Sequence, residues 1–186
     1  MLYCGGMGLP NALARTIRAT RANHALEHAT IEQLLRRHSY RLRVVGRSFP
    51  GGFDLYGDLG IDEVTDATHE ALARLKGGEG HLAVSPYCGT NLAVAAIFAG
   101  LAGALLLRGS LGVRQLPKLA MVGLGAALVA QPLGRIAQEH VTTSAADAPG
   151  LRIRAIRRVV GWPLPFLRVD TTWNEPGLPL RHPSTA

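Results

Sequence analysis

Asn91-Leu-Ala-Val-Ala-Ala-Ile-Phe-Ala-Gly-Leu-Ala-Gly-Ala-Leu-Leu-Leu107 runs for 17 residues without a charge. As a helix it would be about 25 Å long, against a bilayer hydrocarbon core of about 30 Å. Leu119 to Leu133 is a second uncharged run, of 15 residues, that closes on Gln131-Pro132-Leu133. Ala95, Ala99 and Gly103 recur at four-residue spacing in the first run, and Gly123 and Ala127 do so in the second. Small residues at that spacing let two membrane helices approach closely. The pair reads as a membrane-embedded helical hairpin. The competing reading is a buried soluble hairpin or a re-entrant pair, since each run is slightly short.

On either side of these runs the periodicity changes. A long helix is expected from about Asn11 to Arg37, after Pro10 and before His38-Ser39-Tyr40. Tyr40 to Gly46 alternates as a strand, with Leu42 and Val44 opposite Arg41 and Arg43. Phe49-Pro50-Gly51-Gly52 is a turn cluster, and Phe53 and Leu55 belong to a second short strand, giving a hairpin. Asp62 suits an N-cap, and Val64, Ala67, Ala71 and Leu75 then follow at helical spacing until Gly77-Gly78. His69 lies off that stripe and reads as solvent-facing. His81 to Ser85 is expected to be a further strand. Beyond the apolar pair, Leu151 to Arg158 and Phe166 to Thr172 alternate as strands.

The fold class expected is therefore α+β with a membrane-embedded helical hairpin: a long N-terminal helix, a small sheet, two apolar helices and C-terminal strands. Residues 1–88 form the N-terminal α+β unit and 89–135 the hairpin. Residues 136–175 hold strands that return to the first unit, their competing reading being a separate basic strand pair on lipid headgroups. Residues 176–186, with Pro176, Pro179 and Pro183, read as an unstructured tail.

Lys plus Arg number 20 against 13 Asp plus Glu, and Lys76 and Lys118 are the only lysines. Such a balance suits nucleic acid or an anionic membrane surface. The few aromatics and the lack of helix-turn-helix, RNA-binding or zinc-finger spacing argue against nucleic acid. The apolar runs favour the lipid bilayer as partner. Ten Lys/Arg precede the first run, three lie between the runs and seven follow the second. That places both termini on the cytoplasmic side of a bacterial-type cell membrane. Cys4 and Cys88 are the only cysteines, so no disulfide framework is expected. Met1 to Pro10 lacks the charged and apolar regions of a signal peptide.

His24-Ala25-Leu26-Glu27-His28 lies within the first expected helix. Positions i and i+4 stand one above the other, with Cβ atoms about 6 Å apart. Two neutral imidazoles so placed can close on one divalent metal, with Glu27 beside them. His-x-x-Glu-His is the inverted zinc-protease order, in which the histidines are ligands and the glutamate is the general base. Leu13, Ile17, Ile31 and Leu35 fall within about 20° of His24 on the helical wheel, which puts both histidines in the middle of the expected buried stripe. The bland alternative is a hydrogen-bonded core histidine. Ser85-Pro86-Tyr87-Cys88-Gly89-Thr90-Asn91 precedes the first apolar run. There Cys88 offers a thiolate for zinc, or is a small buried hydrophobe.

Taken together, the two motifs resemble uncharacterised bacterial membrane proteins. In one such group they read His-Gly-Ala-Glu-His and His-Pro-Arg-Cys-Gly-Thr. This chain, with Asn23-His-Ala-Leu-Glu-His-Ala-Thr30 and Pro86-Tyr-Cys-Gly-Thr-Asn91, more closely resembles the domain-of-unknown-function family 6391. The resemblance spans roughly Asn23 to Leu133 and includes Pro50-Gly51-Gly52-Phe53. It implies a membrane protein with a metal site made of His24, Glu27, His28 and Cys88, and implies no established reaction. Ser85 stands where the first pattern has a histidine. His81, or Glu79, is then a candidate for a further ligand.

Two functions compete. One is a membrane-associated zinc-dependent hydrolase, such as a peptidase, with metal on His24, His28 and Cys88 and Glu27 as base. The other is a non-catalytic integral membrane scaffold, with a structural metal site or none, in which Glu27 can itself be a ligand.

Overall fold

The computed structural model describes residues 9–106, 113–161 and 164–174. Cys4 and the tail from Pro176 lie outside them. The described chain divides into two compact units: residues 1–83 with 143–186, and residues 84–142.

The first unit is a helix layer on an antiparallel sheet. It holds α1 (Leu9–Arg37), β1 (Val45–Phe49), β2 (Gly52–Tyr56), α2 (Ile61–Lys76), and, after the second unit, β3 (Leu151–Val159) and β4 (Phe166–Trp173). The sheet order is β1-β2-β4-β3, so β4 lies against β2 and joins the two ends of the sequence in one sheet. Phe53 and Leu55 of β2, with Leu167 and Val169 of β4, point at the helices and are buried. They meet Leu26, Ala29 and Leu34 of α1 and Val64, Ala71 and Leu75 of α2 in one core.

The hairpin turn is locked to α1. Asn23, fully buried, donates from Nδ2 to the carbonyls of Phe49 (3.1 Å) and Pro50 (3.0 Å). Its Oδ1 accepts from Thr171 Oγ1 of β4 (2.7 Å). Gly52 completes the turn at φ +146, where a Cβ would run into the Val169 carbonyl. A polar side chain and a glycine thus set the register between the helix and three strands.

Three local expectations give way. The first strand begins at Val45 rather than Tyr40, because Ser39 and Tyr40 turn the chain through positive φ after α1. The helix α2 is capped by Gly60 without a side-chain bond, and Asp62 sits with Glu63 in the first turn, where negative charge suits the helix dipole. The strand expected from His81 to Ser85 is a 3-10 turn over Gly80–Ala83. Its short apolar run buries Leu82 and Ala83.

The buried stripe of α1 is also elsewhere. Leu13 and Ile17 are 62% and 49% exposed, while Ala22, Ala25, Leu26 and Ala29 are fully buried. At about 1.5 Å per residue the 29-residue helix outruns strands of five to nine residues, so its first turns project past the core. The core face is centred on Leu26 and Ala29, away from His24 and not on it.

The second unit is an antiparallel helical pair, α3 (Gly89–Leu106) and α4 (Leu116–Ala137). Gly103, near the end of α3, faces Leu119 at the start of α4, and Asn91 packs on Gly134 at the other end. The seam on α4 is Ala126, Ala130 and Gly134; Gly123 and Ala127 face outward, contrary to the expected spacing motif. A four-residue repeat was the right signal on the wrong register, since apolar residues surround the helix and fix no face. By length and composition α4 can cross a membrane, whereas the apolar stretch of α3, Gly89–Leu105, is shorter.

Candidate metal centre

The middle of α1 gives each member of the His-x-x-Glu-His segment a different neighbourhood. The imidazoles of His24 and His28 meet edge to face, with ring centroids 4.4 Å apart. His28 is buried, and its Nδ1 lies 2.7 Å from the Ala83 carbonyl. A carbonyl only accepts, so Nδ1 carries the proton and Nε2 presents its lone pair. That Nε2 is buried and has no hydrogen-bond partner among the described residues. A neutral imidazole anchored through one nitrogen, with the other aimed and unpaired, is how proteins orient a histidine for a metal.

Glu27 points a different way. Its carboxylate accepts from Ser48 Oγ of β1 and fills the space left by Gly46, where any Cβ would collide with it. Burial raises its pKa above the ordinary carboxylate range, opposed by the Ser48 hydrogen bond and the nearby His24. A carboxyl group desolvated in this way holds a proton more readily than an exposed one.

Gly46, Ser48 and Ala83 are the supporting residues that sequence reasoning missed. Ser48 and Gly46 alternate on one face of β1, so a small residue and a hydroxyl two apart were the available signal. The Ala83 carbonyl left none, because a backbone group is invisible to side-chain patterning.

The other expected residues lie as follows. Cys88 belongs to the second unit, immediately before α3, and is half-buried. Its Sγ accepts from the Thr90 N–H (3.4 Å). Glu79 is held by Arg74 through two short bonds, of 2.9 and 2.6 Å, and that guanidinium lowers its pKa. His81 is exposed on the 3-10 turn. Ser85 exchanges backbone bonds with Gln138: its N–H donates to Oε1 (2.8 Å) and its carbonyl accepts from Nε2 (3.0 Å).

Residues 19–156 match the family described as Domain of unknown function (DUF6391). The chain belongs to that family. The DUF6391 match begins within α1 and ends in β3, so it takes in both units. The chain is also similar to an uncharacterized protein of Picosynechococcus sp., 36% identical over a 135-residue alignment that covers 67% of this chain and 65% of the relative. The chain therefore spans somewhat under two thirds of that relative's length. No solved structure matches it.

Proposed function

We propose that this DUF6391 chain is a membrane-embedded zinc protein, and that its chemistry is metal-dependent hydrolysis, most simply of peptides. The observation that carries the metal reading is His28 Nε2, a buried lone pair without a partner among the described residues, on a ring fixed by the Ala83 carbonyl. Leaving such an atom unsatisfied is costly, and a cation beside it removes the cost. His24 supplies the neighbouring imidazole. Cys88 is proposed as the third ligand on the chemistry of its thiolate and on the pairing of the two sequence motifs. His81 is the remaining candidate, since Glu79 is engaged by Arg74.

When bound, zinc would supply a water acidified toward neutrality. The chain's own part in hydrolysis falls to Glu27, whose carboxylate takes up a proton and returns it to the leaving group. Ser48 and Gly46 hold that carboxylate in place.

A second reading has its own support: Glu27 is bound to Ser48 and packed on β1, which is what a purely structural site would also need. Glu27→Gln separates the two. As a base, its loss lowers turnover of a broad peptide pool by about 10² or more while zinc stays bound. As a structural residue, its loss lowers zinc content or the melting temperature and there is no turnover to lose.

The bilayer reading rests on the outward faces of the helical pair. Leu92, Leu101, Leu105 and Leu128 are more than half exposed, and the pair buries alanine, glycine and amides instead. We propose that both helices lie in the membrane as a hairpin with cytoplasmic termini, on the distribution of arginine.

A further inference from the structure

We infer that one end of the sheet in the first unit is a peripheral docking surface for anionic lipid headgroups. It is distinct from the His24/His28 centre and from the helical pair. Strand register builds it. Val45 pairs with Tyr56, and Val159 pairs with Phe166. Leu55 opposite Leu167 brings Tyr56 beside Phe166, and their ring centroids lie 5.1 Å apart. The start of β1, the end of β2, the start of β4 and the end of β3 therefore share one apolar rim. Val45 on that rim is 67% exposed, and the β3–β4 connection beyond it exposes Val160 at 92% and Leu164 at 61%. Exposed aliphatic groups therefore stand at both edges of that end of the sheet, which marks it as a contact surface.

The charges stand one step behind. On the outer face, two residues in from the rim, the same registers align Arg47, Asp54, Arg168 and Arg157. Asp54 is taken by Arg168 (2.6 Å) and Asp170 by Arg157 (2.8 Å). Arg43 lies at the rim end, its carbonyl against Gly57. Arg43 and Arg47 are exposed, and neither has a carboxylate partner among the described residues. Asp58, also exposed, is the acidic neighbour that follows Tyr56.

Exposed aliphatic groups with Arg47 one step behind them and Arg43 beside them offer an anionic leaflet surface both an apolar contact and unpaired guanidinium groups. Nucleic acid fits less well. Arg168 lies over the rings of Phe49 (5.1 Å) and Phe166 (5.3 Å), covering the faces on which bases would stack.

The test uses the full chain in nanodiscs of phosphatidylcholine alone or mixed with phosphatidylglycerol, read by amide hydrogen exchange. The anionic discs should slow exchange at Val45–Phe49 and Val159–Gly161, and high salt should reverse the effect. Arg43→Glu and Arg47→Glu should each weaken that protection by about five-fold or more. Equal exchange in the two discs overturns the inference, as does full protection of the double variant. The same protection in detergent without lipid also overturns it, since the occupant would then be protein. Should the chain prove soluble without detergent, the bilayer-hairpin reading fails by itself and flotation replaces exchange. Wild type must then float with phosphatidylglycerol vesicles and the double variant must not; wild type floating with neither vesicle type overturns the inference.

Discussion

The two units solve burial in opposite ways. The first puts its leucines and phenylalanine inside: Leu26, Leu34, Phe53, Leu55 and Leu167 are buried to 2% exposure or less. The second turns its leucines outward and keeps Ala126, Ala130, Gly134, Asn91 and Gln138 within. In water the second arrangement forgoes most of the hydrophobic effect, which is worth about 25 cal/mol for each Å² buried. In lipid there is nothing to forgo. The difference shows that leucine carries opposite instructions in the two units, and that the polar groups tell them apart. In the first unit Asn23 ties helix to turn and strand. In the second, Gln138 donates to Asn91 (3.1 Å) and joins α3 to α4.

One truncation placed in each unit should break the symmetry most sharply. Leu26→Ala removes a fully buried side chain and should cost about 2–5 kcal/mol in chemical unfolding. Leu128→Ala, at a site 69% exposed, should change stability in detergent by no more than about 0.5 kcal/mol. Equal costs would mean that the outward leucines of α4 are covered by protein.

Polar deletions should follow with a smaller contrast. Asn23→Ala strands two carbonyls and a hydroxyl and should cost about 1–3 kcal/mol. Asn91→Ala breaks the inter-helix amide pair and should cost about 0.6 kcal/mol, the usual scale between membrane helices. A larger loss at Asn91 than at Asn23 would reverse the assignment of which unit depends on polar locks.

The smallest effect is electrostatic. Partial burial, with help from Arg152, lowers the Lys76 pKa below 10.5, and its Nζ donates to the Leu151 carbonyl (3.0 Å). Between the lowered value and the ordinary one, the unfolded chain holds more protons than the folded chain. Stability therefore rises as pH climbs through that window. Lys76→Met should flatten the slope, measured as melting temperature against pH.

What could be read in sequence follows the same division. Alternation at Phe53 and Leu55 and the 3.6-residue period at Val64, Ala67, Ala71 and Leu75 are one-sided patterns, and one-sided patterns point. The same logic misled for α1, where Leu13 and Ile17 share the angle of His24 but lie on turns that extend beyond the core. It was silent for α4, where apolar residues all round leave the seam to packing. At the candidate centre, His24, Glu27 and His28 were legible from spacing alone. Gly46, Ser48 and Ala83 were not, because they reach Glu27 and His28 only through the folded chain.

Whether His24 and His28 hold a metal is read from the zinc content of full-length protein purified in detergent and equilibrated with zinc, then dialysed. Wild type should hold about one zinc per chain, with most of it lost in His24→Ala, His28→Ala and Cys88→Ala. Zinc retained by His28→Ala, or a properly folded wild type that holds none, would contradict a metal site on this pair.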